Sequence, residues 1–266
     1  MMAINILDEQ GVPYGIKQID NKPCVSSTDY LYDIAEGNIS NHLTLNKFGH
    51  NDTVGTTWET IWTGSNLYTY MTDADQLEII SDDVNDDGDV ASTGAWTVEV
   101  SGLDENWDEI SEIVTMNGTT QVTTTASFIR VNRAKVITAG SSFSNEGTIL
   151  IRDQDTNTTR AVITPLLGQT LMSTWTVPDG YTLYLTSWYA GSAVAKALDI
   201  GIFERDNTIV GAAWHIKKFM SFADNTFKLN EELPIILTSR TDIEIRAKAK
   251  VAGAQISSGF NGWYKI

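Results

Sequence analysis

A chain of 266 residues, 42% hydrophobic and 20% charged, can bury one large core or two modest ones, and nothing in it signals wholesale disorder. Its formal net charge of -16 disfavours sequence-independent nucleic-acid binding and docking on anionic membrane, which need clustered Lys and Arg. No apolar run approaches the roughly 18 to 20 residues of a membrane helix, and the N-terminus MMAINILDEQ lacks the basic and apolar regions of an ordinary signal peptide.

Residues 1 to about 50 read as an extended arm. Gly11, Pro13, Gly15, Pro23 and Gly37 interrupt it, and no sustained period of 2 or 3.6 appears. Such a segment cannot bury Ile4, Ile6, Leu7, Tyr30, Leu31, Tyr32 and Ile34 alone, so it must lie on its own body or on a neighbouring chain. Its YLYDIAEG is either a helical turn closed by Gly37 or a short strand. The single cysteine, Cys24, has no internal disulfide partner and no basic neighbour to activate it, so it reads as a small buried or half-buried side chain.

Strand signals follow at 57–62, 66–72, 76–81, 95–102, 108–116 and 126–139, where apolar and polar residues alternate and Val, Ile, Thr, Trp and Tyr are frequent. TGSN, VSGLDEN and NGTT supply the turn residues between them. No Lys or Arg occurs from Phe48 to Ile129. Within this acidic region Asp83, Asn85, Asp87, Gly88 and Asp89 match the start of a calcium loop, which needs oxygen ligands on alternate residues and a glycine at the bend. The twelfth position holds Gly94 instead of the closing Glu, and strands flank the loop. The reading that prevails is therefore a mobile, solvated loop projecting from the surface, with calcium the alternative.

Further strands are expected at 147–153, 159–165, 171–191, 197–206, 209–222, 233–239, 241–250 and 261–266. TVPDGYTLYLTSW reads as a hairpin: Pro178, Asp179 and Gly180 make the turn, while Leu183 and Leu185 oppose Tyr184 and Thr186. The fold class is all-β, antiparallel β-sandwich or jelly-roll modules preceded by the arm, with one module at 51–160, a second at 161–266 and a junction near Asp153 to Pro165. A single fused module is the alternative.

No constellation points to catalysis. His42 and His50 fall in the arm and His215 in a strand, without metal-ligand spacing or a neighbouring nucleophile, and no phosphate-binding glycine motif occurs. A glycosidase needs only two carboxylates, and pairs such as Asp104 with Glu105, or Asp108 with Glu109, could supply them but read as solvated. Of the eight tryptophans, which could stack on sugars or fill cores, Trp107 is the one expected to be exposed.

The runs YDIAEGNIS (32–40), KFGHNDTVGTTWETIW (47–62), MNGTTQVTT (116–124), TVPDGYTLYLTSWYA (176–190) and TDIEIRAKA (241–249), in this order, resemble a family of virion structural proteins of tailed bacteriophages, frequent among marine ones. The resemblance spans nearly the whole chain. It implies a non-enzymatic particle component and supplies no active-site residues; the acidic loop 82–89 departs from the family pattern. The expected role is a capsid decoration or cement protein, made in the host cytoplasm, that grips the major capsid protein or another virion protein through the arm and a β face. It is expected to associate with itself, as a trimer in preference to other states. A neck or tail component, whether adaptor, fibre or receptor-binding protein, is the alternative; a carbohydrate-active enzyme is the remote one.

Overall fold

The computed structural model describes residues 18–19, 22–23, 27–223 and 226–266, in two compact units, 1–44 and 45–266. Cys24, Ile4, Ile6 and Leu7 lie outside the described residues. In the first unit β1 (Gln18–Ile19) pairs with β2 (Lys22–Pro23), and α1 covers Ser27–Ala35. The helix ends at Gly37, which takes φ +75°. From there the amides of Gly37 and Asn38 bond back to the carbonyls of Ile34 and Asp33, the left-handed cap that glycine allows without steric cost. Ile34 is buried, whereas Tyr30, Leu31 and Tyr32 are exposed. The arm is thus not extended throughout: YLYDIAEG is helical, and His42 begins a strand.

That strand, β3 (His42–Val54), opens an eight-stranded jelly roll. The chain then makes β4 (Glu59–Thr60) and departs into a second β module. This module comprises β5 (Asp75–Ser81), β6 (Ala95–Leu103), β7 (Glu109–Thr115), β8 (Val122–Phe128), β9 (Arg130–Ala139), β10 (Ile149–Asp153) and β11 (Thr159–Ile163). The roll resumes with β12 (Thr174–Thr176), β13 (Thr182–Ser192), β14 (Ala197–Asp206), β15 (His215–Ala223), β16 (Thr226–Leu237), β17 (Thr241–Ala249) and β18 (Ala254–Lys265). One sheet has the order β3-β18-β13-β16, the other β12-β17-β14-β15. With β4 and β12, which lie in the same sheet, counted as one strand, successive strands change sheet at every connection except β14 to β15, which gives the double Greek key of a jelly roll.

Alternation fixes which side chains meet between the sheets. In β13 Leu183 and Leu185 point inward, a bulge between Leu185 and Ser187 shifts the phase by one residue, and Trp188 and Ala190 then point inward too. They pack with Ile200, Ile202, Ile243, Ile245 and Phe260. The inserted module folds as its own sandwich, β11-β10-β5-β8 against β7-β6-β9, around Leu77, Ile79, Val98, Val100, Phe128 and Ile151.

The insertion splits an edge strand. β4 and β12 pair with successive stretches of β17, at Ala247–Arg246 and at Glu244–Asp242. Between them Trp62 bridges Met172 and the amide of Ser173 bonds the carbonyl of Ile61 at 3.0 Å, so the insert's two ends lie side by side.

Several local expectations change. The turn at Pro178–Gly180 forms, with Gly180 at φ +74°, but no hairpin results: β12 pairs with β17 and β13 with β16 and β18, because the turn carries the chain from one sheet to the other. The expected strand 126–139 breaks at Ile129, where β8 passes to one sheet and β9 to the other. Residues 66–72 form no strand. Their polar backbone groups are taken instead by side chains, the amide of Tyr68 by the Thr60 hydroxyl and the carbonyl of Met71 by Arg130. Asp153 to Pro165, expected as a junction, is the β10–β11 hairpin, closed by the Arg160–Asp153 ion pair.

Candidate functional site on the outer face of the roll

Across the solvent side of the β3-β18-β13-β16 sheet lies a pocket of about 440 Å³. It exists because small residues stand where side chains would otherwise fill the surface. Tyr189 on β13 sits directly opposite Gly259 on β18, and a Cβ at Gly259 would lie 2.5 Å from the Tyr189 hydroxyl, so the hydroxyl end of the phenol leans over the glycine. Next along the same strands, Gly191 faces Ser257. His50, Gln255 and Thr226 complete the wall. Burial pushes the Tyr189 phenol up from its ordinary value.

His50 and Asp52 are two apart on β3, hence on one face. His50 Nε2 is 2.9 Å from Asp52 Oδ1, and Nδ1 is 2.8 Å from the Ser257 hydroxyl. Gln255 donates to the same Asp52 oxygen at 2.7 Å. The hydrogen bonds from His50 and then Gln255 hold the Asp52 carboxyl below the usual range. An ionised Asp52 fixes the proton on Nε2, so Nδ1 accepts from Ser257 and the oxygen lone pairs of that hydroxyl can accept.

This Ser–His–Asp chain resembles a nucleophilic relay with the ring nitrogens exchanged. Its surroundings favour binding. Ser257 is in mid-strand, flanked by β13 and β3, so backbone N–H groups around it are spent in the ladder and none is preorganised for an oxyanion.

The acidic loop is ordered in an unexpected way. Asp86, absent from the calcium pattern, is fully buried. Its carboxylate accepts from the Ser81 hydroxyl at 2.6 Å and from the amides of Ala95, Glu146 and Gly147 at 2.8, 2.8 and 2.9 Å. Asp83, Asp87 and Asp89 each turn onto the amide two residues ahead, at 2.9, 3.2 and 3.0 Å, and Asn85 donates to Glu146. Among the described residues no three His, Cys, Asp or Glu side chains gather as a metal-holding group. The loop does not project freely; Asp86 pins it to the 146–147 turn.

The other candidates are occupied. Trp107 is half-buried with φ +68°, its ring 4.6 Å from the Arg130 guanidinium, so it covers a cation and is no exposed sugar platform. Asp104 accepts the amides of Asn106 and Asp108, and Glu109 accepts the Tyr264 hydroxyl. His215 is exposed on β15.

Insert and roll are joined by buried charge. Arg130 of β9 donates to both oxygens of Asp242 on β17, at 2.8 and 3.1 Å, while Arg205 and Thr176 donate to the same carboxylate at 2.6 Å each. Burial would raise the Asp242 carboxyl, but the Arg130 charge and these hydrogen bonds hold it below its ordinary value. For neighbouring Glu244 burial prevails over Arg246 and Thr60, and its carboxyl is raised.

Fold and pocket together define a class: an eight-stranded jelly-roll protein whose second strand is split by an inserted β-sandwich. No protein-family model and no curated protein matches the sequence. Among solved structures, similar chains come from the infectious bursal disease virus Gt strain, at 9% identity, 85% of this chain, 72% of that chain and TM-score 0.19, and from the VP2 subviral particle of infectious bursal disease virus, at 10%, 85%, 77% and 0.17. TM-scores of this size carry no argument about this chain.

Proposed function

We propose that the protein is a non-catalytic virion component, a decoration or cement protein that grips the head shell of a tailed bacteriophage through residues 1–50 and a β face, and so is located in the virion. The jelly-roll strand order carries the reading, since capsid domains use this architecture; lectins and cupins use it too, so the fold does not suffice alone. The sequence runs resembling virion structural proteins narrow the choice. Exposed Leu31 and Tyr32 on α1 are the kind of apolar side chains that an arm would bury against a neighbour. Ile216 and Phe219 on edge strand β15, with Leu233 and Ile236 on edge strand β16, offer a second apolar contact, suited to self-association as a trimer.

Quantitative mass spectrometry of purified particles tests the reading. Hundreds of copies per particle are expected for a cement protein; tens would move it to the neck or tail, and absence from particles would overturn it. Deleting residues 1–41, up to the start of β3, should leave a folded body that no longer binds particles, and retained full occupancy would refute the role of the arm. Sedimentation of purified protein at micromolar concentration reads the trimer directly.

A further inference from the structure

We propose that the pocket between Tyr189 and His50 is a binding site for a neutral saccharide. The inference goes beyond the virion reading and does not depend on it.

Three observations converge. First, the site has an aromatic side chain in its lining. The hydroxyl end of Tyr189 leans over Gly259, where the absence of a side chain leaves it room. A pyranose ring presents a face of C–H groups that packs on an aromatic ring. Second, the rim is built from uncharged donors and acceptors of mixed sense: the Gln255 amide, the Ser257 and Thr226 hydroxyls and the Tyr189 hydroxyl. Hydroxyls of a sugar both donate and accept, so they match a mixed rim better than an anion or a cation would. Third, among the described residues lining the pocket there is no Lys, Arg, Asp or Glu. Phosphate or carboxylate ligands, which rely on a fixed cation, gain nothing there, and the carboxylate just outside, Asp52, is engaged by His50 and Gln255.

Preorganisation completes the case. Asp52 holds both His50 and Gln255, and His50 in turn holds the Ser257 hydroxyl at 2.8 Å, so three of the lining side chains are oriented before any ligand arrives. A volume of about 440 Å³ fits one or two sugar rings, a small site in the usual range for ligand pockets. Tyr189 and Gly191 on β13 and Ser257 and Gln255 on β18 belong to the two central strands of the sheet, so the lining rests on rigid elements.

The test uses the full-length purified protein. Saturation-transfer NMR with glucose, galactose, mannose and N-acetylglucosamine and their short oligomers at millimolar concentration, backed by a glycan array, should reveal at least one bound neutral sugar. Ser257→Trp fills the pocket from an exposed position and should abolish the signal. Gln255→Ala, which removes one rim group without altering the core, should weaken binding about tenfold. Both variants should unfold cooperatively near the wild-type temperature, which separates loss of the site from loss of the fold. Absence of binding by every sugar tested, or binding unchanged in both variants, overturns the proposal. So does turnover of p-nitrophenyl acetate that disappears in Ser257→Ala, which would make the Ser257–His50–Asp52 chain an acyl-transfer centre. None of these results depends on whether the protein is found in particles.

Discussion

Residues 62–172, the insert, carry 17 Asp and Glu against 5 Lys and Arg, a net charge of -12, whereas residues 173–266 of the roll carry 9 against 10. Both regions nevertheless bury aliphatic side chains between two antiparallel sheets in the same manner. Core pattern and surface charge are therefore set independently: period two determines the sandwich, and the solvent-facing positions are free to diverge. The roll places its charges in pairs, such as Lys217 with Glu204 and Lys218 with Glu231, while the insert spends acidic groups on its own backbone, as Asp86 and Asp104 do.

The contrast is most easily broken where the two regions meet. Asp242→Ala removes the carboxylate that Arg130 and Arg205 share and leaves Arg130 buried without its counter-ion, so a loss of about 3 to 5 kcal/mol is expected in urea unfolding. A loss under about 1 kcal/mol would mean that the tether contributes little, since even an ordinary hydrogen bond is worth that much. The same pair predicts acid sensitivity. Asp242 is held below its ordinary value, so its contribution is complete above the pKa of an unfolded aspartate and disappears as pH falls through the lowered folded value.

A smaller effect separates the aspartates of the acidic loop from one another. Asp86→Ala strands three amides, two of them buried, and should cost about 2 to 3 kcal/mol, while Asp83→Ala and Asp87→Ala, each relieving only a local turn, should fall within about 0.5 kcal/mol of wild type. Calorimetric titration with calcium is expected to give no saturable heat. Heat that saturates, and that vanishes in the Asp83→Ala, Asp87→Ala double variant, would establish the alternative.

The smallest effect is a slope. Lys47 is buried on β3, its ammonium donating to the Asn132 carbonyl of the insert, and burial followed by the charge of Arg133 pushes it well below its ordinary value. The folded state then binds fewer protons than the unfolded state, so stability should rise as pH climbs from that lowered value toward the ordinary lysine value of about 10.4. Lys47→Met should flatten this rise in thermal melts between neutral and alkaline pH.

Much of this architecture could be read from the residues. Alternation located the strands from Gln76 to Ser81 and from Ala95 to Gly102 within a residue or two, because one face of each must be apolar. Connectivity could not be read, since Pro178–Gly180 makes the same turn whether it joins paired strands or passes between sheets. The site was half visible: FGHND already puts His50 and Asp52 on one strand face, a signal obscured by assigning residues up to 50 to an arm. Ser257, 207 residues further on, joins them only through the pairing of β18 with β3, which no local pattern encodes. Asp86 was hidden among similar neighbours, because burial is a property of what packs on a loop and not of its composition.

The split edge strand has a consequence for the order of events during synthesis. Trp62 and Met172 close the insert's ends together, and the strands of its two sheets pair only with other strands of the insert, so it can complete its own core once residue 172 has left the ribosome. β3 must wait for β18, whose residues 254–265 are made long after it. A finished domain therefore hangs within an unfinished one, and the late, long-range closure of β3 on β18 is the step at which the nascent roll has its apolar face uncovered for longest.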